Sequence, residues 1–145
     1  MMRGGTMQEV LLHGGLEESF DSSVVLARRL AETFGAHLHV VYTVDDPLSA
    51  GWTAEVSAER LPEVHAAMEA EARERLSRII PEEEQERLGI TLALRTGPHA
   101  AELVRYTTEN SIDLAIVHSS SDGDHGAELA RALLADGRCS VLVLR

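Results

Sequence analysis

The side chains best placed to do chemistry are His13, His118, His125, Asp122 and Asp124. His118 and His125 bracket the polar run HSSSDGDHG at residues 118–126, and His13 closes the short apolar run EVLLH at residues 9–13. Imidazoles beside carboxylates can hold a divalent transition metal, and an imidazole can also move a proton. His13 and His118 are the candidate metal ligands, and a metal-dependent enzyme built on them is one reading of the chain. The spacing matches no dedicated metal motif. No nucleophile stands beside an evident activating partner, so acid–base catalysis has little to act through. The simpler reading is that these groups line a cleft. The loop itself is unusual. It lies between a strand and a helix, where open α/β sheets commonly hold phosphate. Yet it carries Asp122 and Asp124 and contains no Lys or Arg.

The elements that would position these residues follow from hydrophobic periodicity. Residues 9–13 read as a strand ended by Gly14-Gly15. Residues 22–34 read as an amphipathic helix with Asp21 as its N-cap and Gly35 as its stop. Residues 37–44 (HLHVVYTV) are rich in β-branched residues and read as a buried strand. Residues 45–58, with Pro47, Gly51 and Trp52, read as a connection in which Trp52 docks the loop on the body. A long helix is expected from Leu61 to about Ile80, with Val64, Met68, Ala72, Leu76 and Ile79 as its apolar stripe. The acidic stretch from Pro81 to Arg87 is expected to be solvated surface, as one more helical turn or a loop. Residues 90–95 give a third strand, 99–109 a helix with Asn110 near its C-cap, and 114–117 a fourth strand. Residues 127–136 give a last helix ended by Gly137, and 140–144 a fifth strand. His37, His39 and His65 fall inside periodic elements and are expected to be structural. His99 is expected to be a surface residue of its turn. Alternating β and α elements, with strands apolar on nearly every residue, predict a parallel sheet covered by helices on both faces.

The bulk properties narrow the class. A chain of 145 residues with 44% hydrophobic content is expected to be one globular domain over residues 8–145. Residues 1–7 (MMRGGTM) are expected to be a frayed or vector-derived end without a signal-peptide core. Aromatic residues make up only 3%, so aliphatic side chains must fill the core. A formal charge of −11 with no basic run argues against nucleic acid or an anionic membrane as partner. No apolar run approaches the roughly 20 residues of a membrane helix. The one cysteine, Cys139, excludes an internal disulfide and fits a reducing cytoplasm; it is expected to be a small buried apolar residue.

In order along the chain, VLLHGGLEES (10–19), LHVVYTV (38–44), RTGPHAAELVRYTTEN (95–110), DLAIVHSS (113–120) and CSVLVLR (139–145) resemble the segments of the universal stress protein family. The third of these matches most closely, through Gly97, Glu102, Leu103, Val104, Arg105 and Tyr106. The resemblance implies a three-layer, Rossmann-like fold of the adenine nucleotide hydrolase type, with an open five-stranded parallel sheet in the order 3-2-1-4-5. It implies a remnant nucleotide cleft at Gly14, Gly15, Val41, Gly97, His118, Ser119, Ser120 and Ser121. It also implies a homodimer through the last strand, Ser140, Val141, Leu142, Val143 and Leu144, because an apolar edge strand invites pairing.

The chain departs from the family's ATP-binding branch in ways with physical consequences. Gly14 stands where the family has Asp, and Leu16 where it has Ser. Ser119 and Asp122 stand where the first glycines of the phosphate loop are expected. The segment before the last helix is too short for the remaining Gly-Ser, to which Ala127 and Glu128 fall nearest. Such glycines let backbone N–H groups converge on phosphate. A carboxylate about 5 Å from a phosphate charge opposes it by roughly 3 kcal/mol at an effective dielectric of about 20, or about a hundredfold in affinity. The reading is a non-catalytic binding or regulatory protein of the stress response, without ATP or another cofactor, whose serines can serve a smaller or less charged ligand. The alternative is a sensor of the same fold that still holds ATP or AMP.

Overall fold

The computed structural model describes residues 7–14, 19–44, 54–119 and 125–145. In chain order these form β1 (Glu9–Gly14), α1 (Ser19–Phe34), β2 (His37–Val44), α2 (Ala54–Ile79) and α3 (Glu82–Leu88). There follow β3 (Thr91–Thr96), α4 (His99–Glu109), β4 (Leu114–His118), α5 (His125–Asp136) and β5 (Ser140–Leu144). The strands make one sheet in the order β3-β2-β1-β4-β5, and every neighbouring pair is parallel. Fold class and strand order agree with the reading of the sequence.

Strand alternation sorts the core into two layers. On one face Val10 and Leu12 of β1, Leu38 and Val40 of β2, and Leu114 and Ile116 of β4 pack with Val24, Ala27 and Ala31 of α1 and Ala72 and Leu76 of α2. On the other, Leu11, Val41, Ala115 and Val117 pack with Leu103 and Tyr106 of α4 and Leu129, Ala130 and Leu133 of α5. Because both faces are covered, the central strands read as continuous apolar runs.

Several boundaries differ from the sequence expectation. Helix α1 begins at Ser19, so Asp21 lies in its first turn rather than at its N-cap. A carboxylate there still complements the positive helix end, and it reaches Arg75 of α2 at 3.7 Å. Helix α2 begins at Ala54 and carries Pro62 inside it, whereas a proline is more often found in a first turn. Along its apolar stripe Ala72 and Leu76 are buried, while Met68 stays 37% exposed. The acidic stretch forms the separate helix α3, with Glu82, Glu83 and Glu84 in its first turn. Glu84 pairs with Arg28 of α1 at 3.0 Å, which docks α3 on the body. Strand β3 starts one residue later than expected, at Thr91, and α5 starts at His125 rather than 127. Trp52 lies outside the described residues.

Candidate functional site

Strands β1 and β4 are neighbours, but the chain leaves β1 toward β2 and β4 toward β5. Their carboxyl ends therefore flank the crevice in which open α/β sheets bind ligands. The rim comprises Gly14 on β1, Thr43 on β2, Gly97 after β3, and His118 at the end of β4 with Ser119 just beyond it. Gly15, Ser120, Ser121, Asp122 and Asp124 lie outside the described residues.

Glycine is needed at two rim positions. Gly97 has φ +143°, and a Cβ there would stand 3.1 Å from Oε1 of Glu102. Only glycine takes that turn without strain. Gly126, in the first turn of α5, packs against the end of β4. A Cβ at Gly126 would sit 2.6 Å from Cα of Ser119 and closer still to the carbonyl oxygen of His118. The same kind of close helix–strand approach is a feature of dinucleotide-binding folds.

The polar groups of the rim are organised by strand parity. Leu11, two residues before His13, packs in the α4–α5 layer, so His13 leaves the sheet on that face. Its Nε2 is hydrogen-bonded to Oγ1 of Thr43 at 2.7 Å. The same hydroxyl lies 2.6 Å from Nδ1 of His99, at the start of α4. A threonine has one proton to give, so it donates to one imidazole and accepts from the other. His99 is thus half-buried in a rim network, which corrects its reading as a surface turn residue. Ile116, two residues before His118, packs in the α1–α2 layer. His118 therefore leaves on the opposite face from His13, and the two candidate ligands are not brought together. The cause is parity, which a strand apolar on both faces hides from the sequence. Nδ1 of His118 is buried and makes no hydrogen bond among the described residues.

Other expected site residues are placed differently. Val41 is fully buried in the α4–α5 layer and offers no surface to a ligand, which corrects its assignment to the cleft. The amide of Ser119 donates to the carbonyl of Leu144 at 2.7 Å, so it continues the β4–β5 ladder rather than facing the crevice. Beside the rim, a groove of about 700 Å³ runs between α2 and α4, bordered by His65, Glu69, Arg95, Thr96, Glu102 and Arg105. Its cations are engaged: Arg95 pairs with Glu109 at 3.0 Å and Arg105 with Glu102 at 3.1 Å.

A second polar cluster lies at the amino ends of β1 and β2, where the sequence reading expected only structural histidines. Glu9 stands opposite His37 in the β1–β2 register. Its Oε1 is 3.3 Å from Nδ1 of His37 and 3.2 Å from Nε2 of His39. His39 is buried, and desolvation pulls its imidazole below the usual range, with Glu9 opposing. Burial likewise pushes the Tyr106 phenol above it up. The sequence signal was the pair at i, i+2 on one strand face, but its partner Glu9 is joined to it only by strand register.

The edge strand β5 pairs with β4 on one side, and Val143 is 41% exposed. No described helix is long and apolar enough to cross a membrane.

The fold and the crevice define an open doubly wound α/β protein with its rim at the β1–β4 switch point. The family model for the universal stress protein family matches residues 15–145, and the chain belongs to that family. Among curated proteins no significant sequence match is found. Solved structures match along nearly the whole chain. The universal stress protein UspA from Lactobacillus plantarum aligns with a TM-score of 0.72 at 18% identity, covering 97% of this chain and 99% of that one. A universal stress protein family member from Burkholderia pseudomallei aligns at 0.60 and 23% identity, over 97% and 98%. A universal stress protein crystallised in complex with cAMP aligns at 0.62 and 16% identity, over 97% and 98%.

Proposed function

We propose that this universal stress protein acts in the cytoplasm as a non-catalytic, homodimeric binding or regulatory protein of the stress response. In this reading it does not hold ATP through a phosphate loop. The observation that carries it is the chemistry of the connection between β4 and α5. That connection is acidic and lacks Lys and Arg, while Gly126 brings α5 close against the end of β4. The amide of Ser119 is committed to Leu144, and the nearby arginines are paired with glutamates. The connection offers a triphosphate carboxylates and no cationic side chain.

What remains at the rim on the α4 side suits a smaller or less charged ligand: the imidazoles of His13 and His99 and the hydroxyl of Thr43 between them. An adenine-nucleotide sensor is the second reading. It is favoured by the buried Nδ1 of His118, which has no hydrogen-bond partner among the described residues, and by the similarity to a universal stress protein that was crystallised with cAMP. Extraction of the purified, denatured chain followed by mass spectrometry separates the two. The first reading expects no ATP or AMP in the extract. A nucleotide approaching one equivalent would overturn it.

The dimer is proposed through β5, whose exposed Val143 leaves an apolar edge open to pairing. Light scattering is expected to give twice the chain mass at micromolar concentration, and Val143→Lys is expected to give the monomer. A parent chain that is already monomeric would contradict the proposal.

A further inference from the structure

We propose that Glu9, His37 and His39 form a binding site for a divalent transition metal of the zinc type, at the amino ends of β1 and β2. This is the opposite end of the sheet from the rim, and the site does not depend on how the rim is read.

The carboxylate oxygen already stands at the required separation from each imidazole. Zinc binds imidazole nitrogen and carboxylate oxygen at roughly 2.0–2.2 Å in a tetrahedron, so two ligand atoms stand about 3.4 Å apart. Oε1 of Glu9 is 3.3 Å from Nδ1 of His37 and 3.2 Å from Nε2 of His39. The three donors lie within 4.8 Å of one another. Two of the three separations thus match a tetrahedral ion, and the third is closed by a small rotation of the imidazoles toward each other.

The backbone fixes this arrangement. His37 and His39 alternate onto the same face of β2, with ring centroids 4.2 Å apart. The parallel register sets Glu9 directly beside His37.

Each ring is also held from behind. Nε2 of His37 is 2.7 Å from Oγ1 of Thr91, and Nδ1 of His39 is 2.7 Å from the hydroxyl of Tyr106. Metal-ligating histidines almost always have their second nitrogen bonded to an oxygen in this way, which fixes the ring and its tautomer. Both partners here are hydroxyls, which donate or accept. The rear nitrogens therefore stay satisfied whether the front nitrogens carry protons or face a cation.

The neighbouring charges are compatible with a cation. Asp113 lies beside the site, accepting from the amides of Gln8 and Glu9 at 2.9 Å. Arg95, over the ring of Tyr106, is offset by Glu109. His39 and Tyr106 close the inner side. Glu9 and His37 keep 23% and 35% of their side chains exposed, so water can supply a fourth ligand. The donor set of two imidazoles and one carboxylate suits zinc, cobalt or iron(II) better than magnesium or calcium.

The test uses the full chain, stripped with a chelator, dialysed, and titrated with CoCl₂ and then ZnCl₂. About one equivalent of cobalt is expected to bind with the visible absorption of a four- or five-coordinate ion, and zinc is expected to displace it. Glu9→Gln and His37→Ala are each expected to weaken binding roughly tenfold or more, and His65→Ala to leave it unchanged. Glu9→Gln is nearly isosteric and keeps the comparison valid if the histidine variant does not fold. Imidazole NMR signals of His37 and His39, but not His65, are expected to move with the metal. Absence of stoichiometric binding would overturn the proposal. So would binding that survives both Glu9→Gln and His37→Ala, or binding that His65→Ala abolishes.

Discussion

Gly126 shows how one missing side chain sets the rim. Its backbone rests on the end of β4 so closely that a Cβ would enter the van der Waals shells of His118 and Ser119. These neighbours are backbone atoms and cannot swing aside. Gly126→Ala is therefore expected to cost about 1–3 kcal/mol, read as a lower urea midpoint at unchanged slope. A midpoint equal to that of the parent would show that α5 does not press on β4. Cys139 gives a second test at this scale. Burial pushes its thiol above the ordinary range, so at pH 8 it holds less thiolate than a free cysteine. Alkylation by iodoacetamide is expected to be several-fold slower in the folded chain than in guanidinium. Equal rates would contradict this half-buried placement. Residue chemistry was only partly legible in the sequence. The acidic character of the loop was plain, because composition alone shows it. The opposite faces of His13 and His118 were not, because Val117 and Ile116 are both buried and the run gives no parity signal. The His13–Thr43–His99 network joins residues far apart in the chain and had no local signature.

Strands β1 and β4 are joined at their amino ends through Asp113. Its carboxylate accepts from the amides of Gln8 and Glu9 at 2.9 Å, and its own amide donates to the carbonyl of Glu9 at 2.8 Å. These bonds tie the start of β4 to the start of β1 across the centre of the sheet. Asp113→Ala leaves two amides without that acceptor and is expected to cost about 1–3 kcal/mol by urea unfolding. Asp113→Asn, which keeps an oxygen, is expected to cost less. If the two variants proved equally mild, the clamp would not contribute. Most elements were legible because their signals are local. Gly97-Pro98 before His99 and Asn110 after Glu109 bound α4, and the expected and observed limits agree. The apolar runs at β4 and β5 were equally clear. The start of α2 was missed because Pro62 resembles the opening of a helix, yet the helix continues back to Ala54. The extent of α3 was open in the sequence because PEEEQERLG has no apolar stripe. It is held instead by the contact between Arg28 and Glu84.

The whole molecule carries a formal charge of −11, and this bears on any anionic ligand. An ATP molecule approaching the rim meets a repulsive field before it meets any particular residue. Local chemistry at the β4–α5 connection acts in the same direction. Fold membership does not decide this question, because one fold hosts sites of different chemistry. The most direct measurement is calorimetric titration of the dialysed, full-length chain with ATP and magnesium at moderate ionic strength. No saturable heat is expected below about 100 μM ATP. A single-site isotherm with Kd near 1 μM, or roughly −8.2 kcal/mol, would contradict the account.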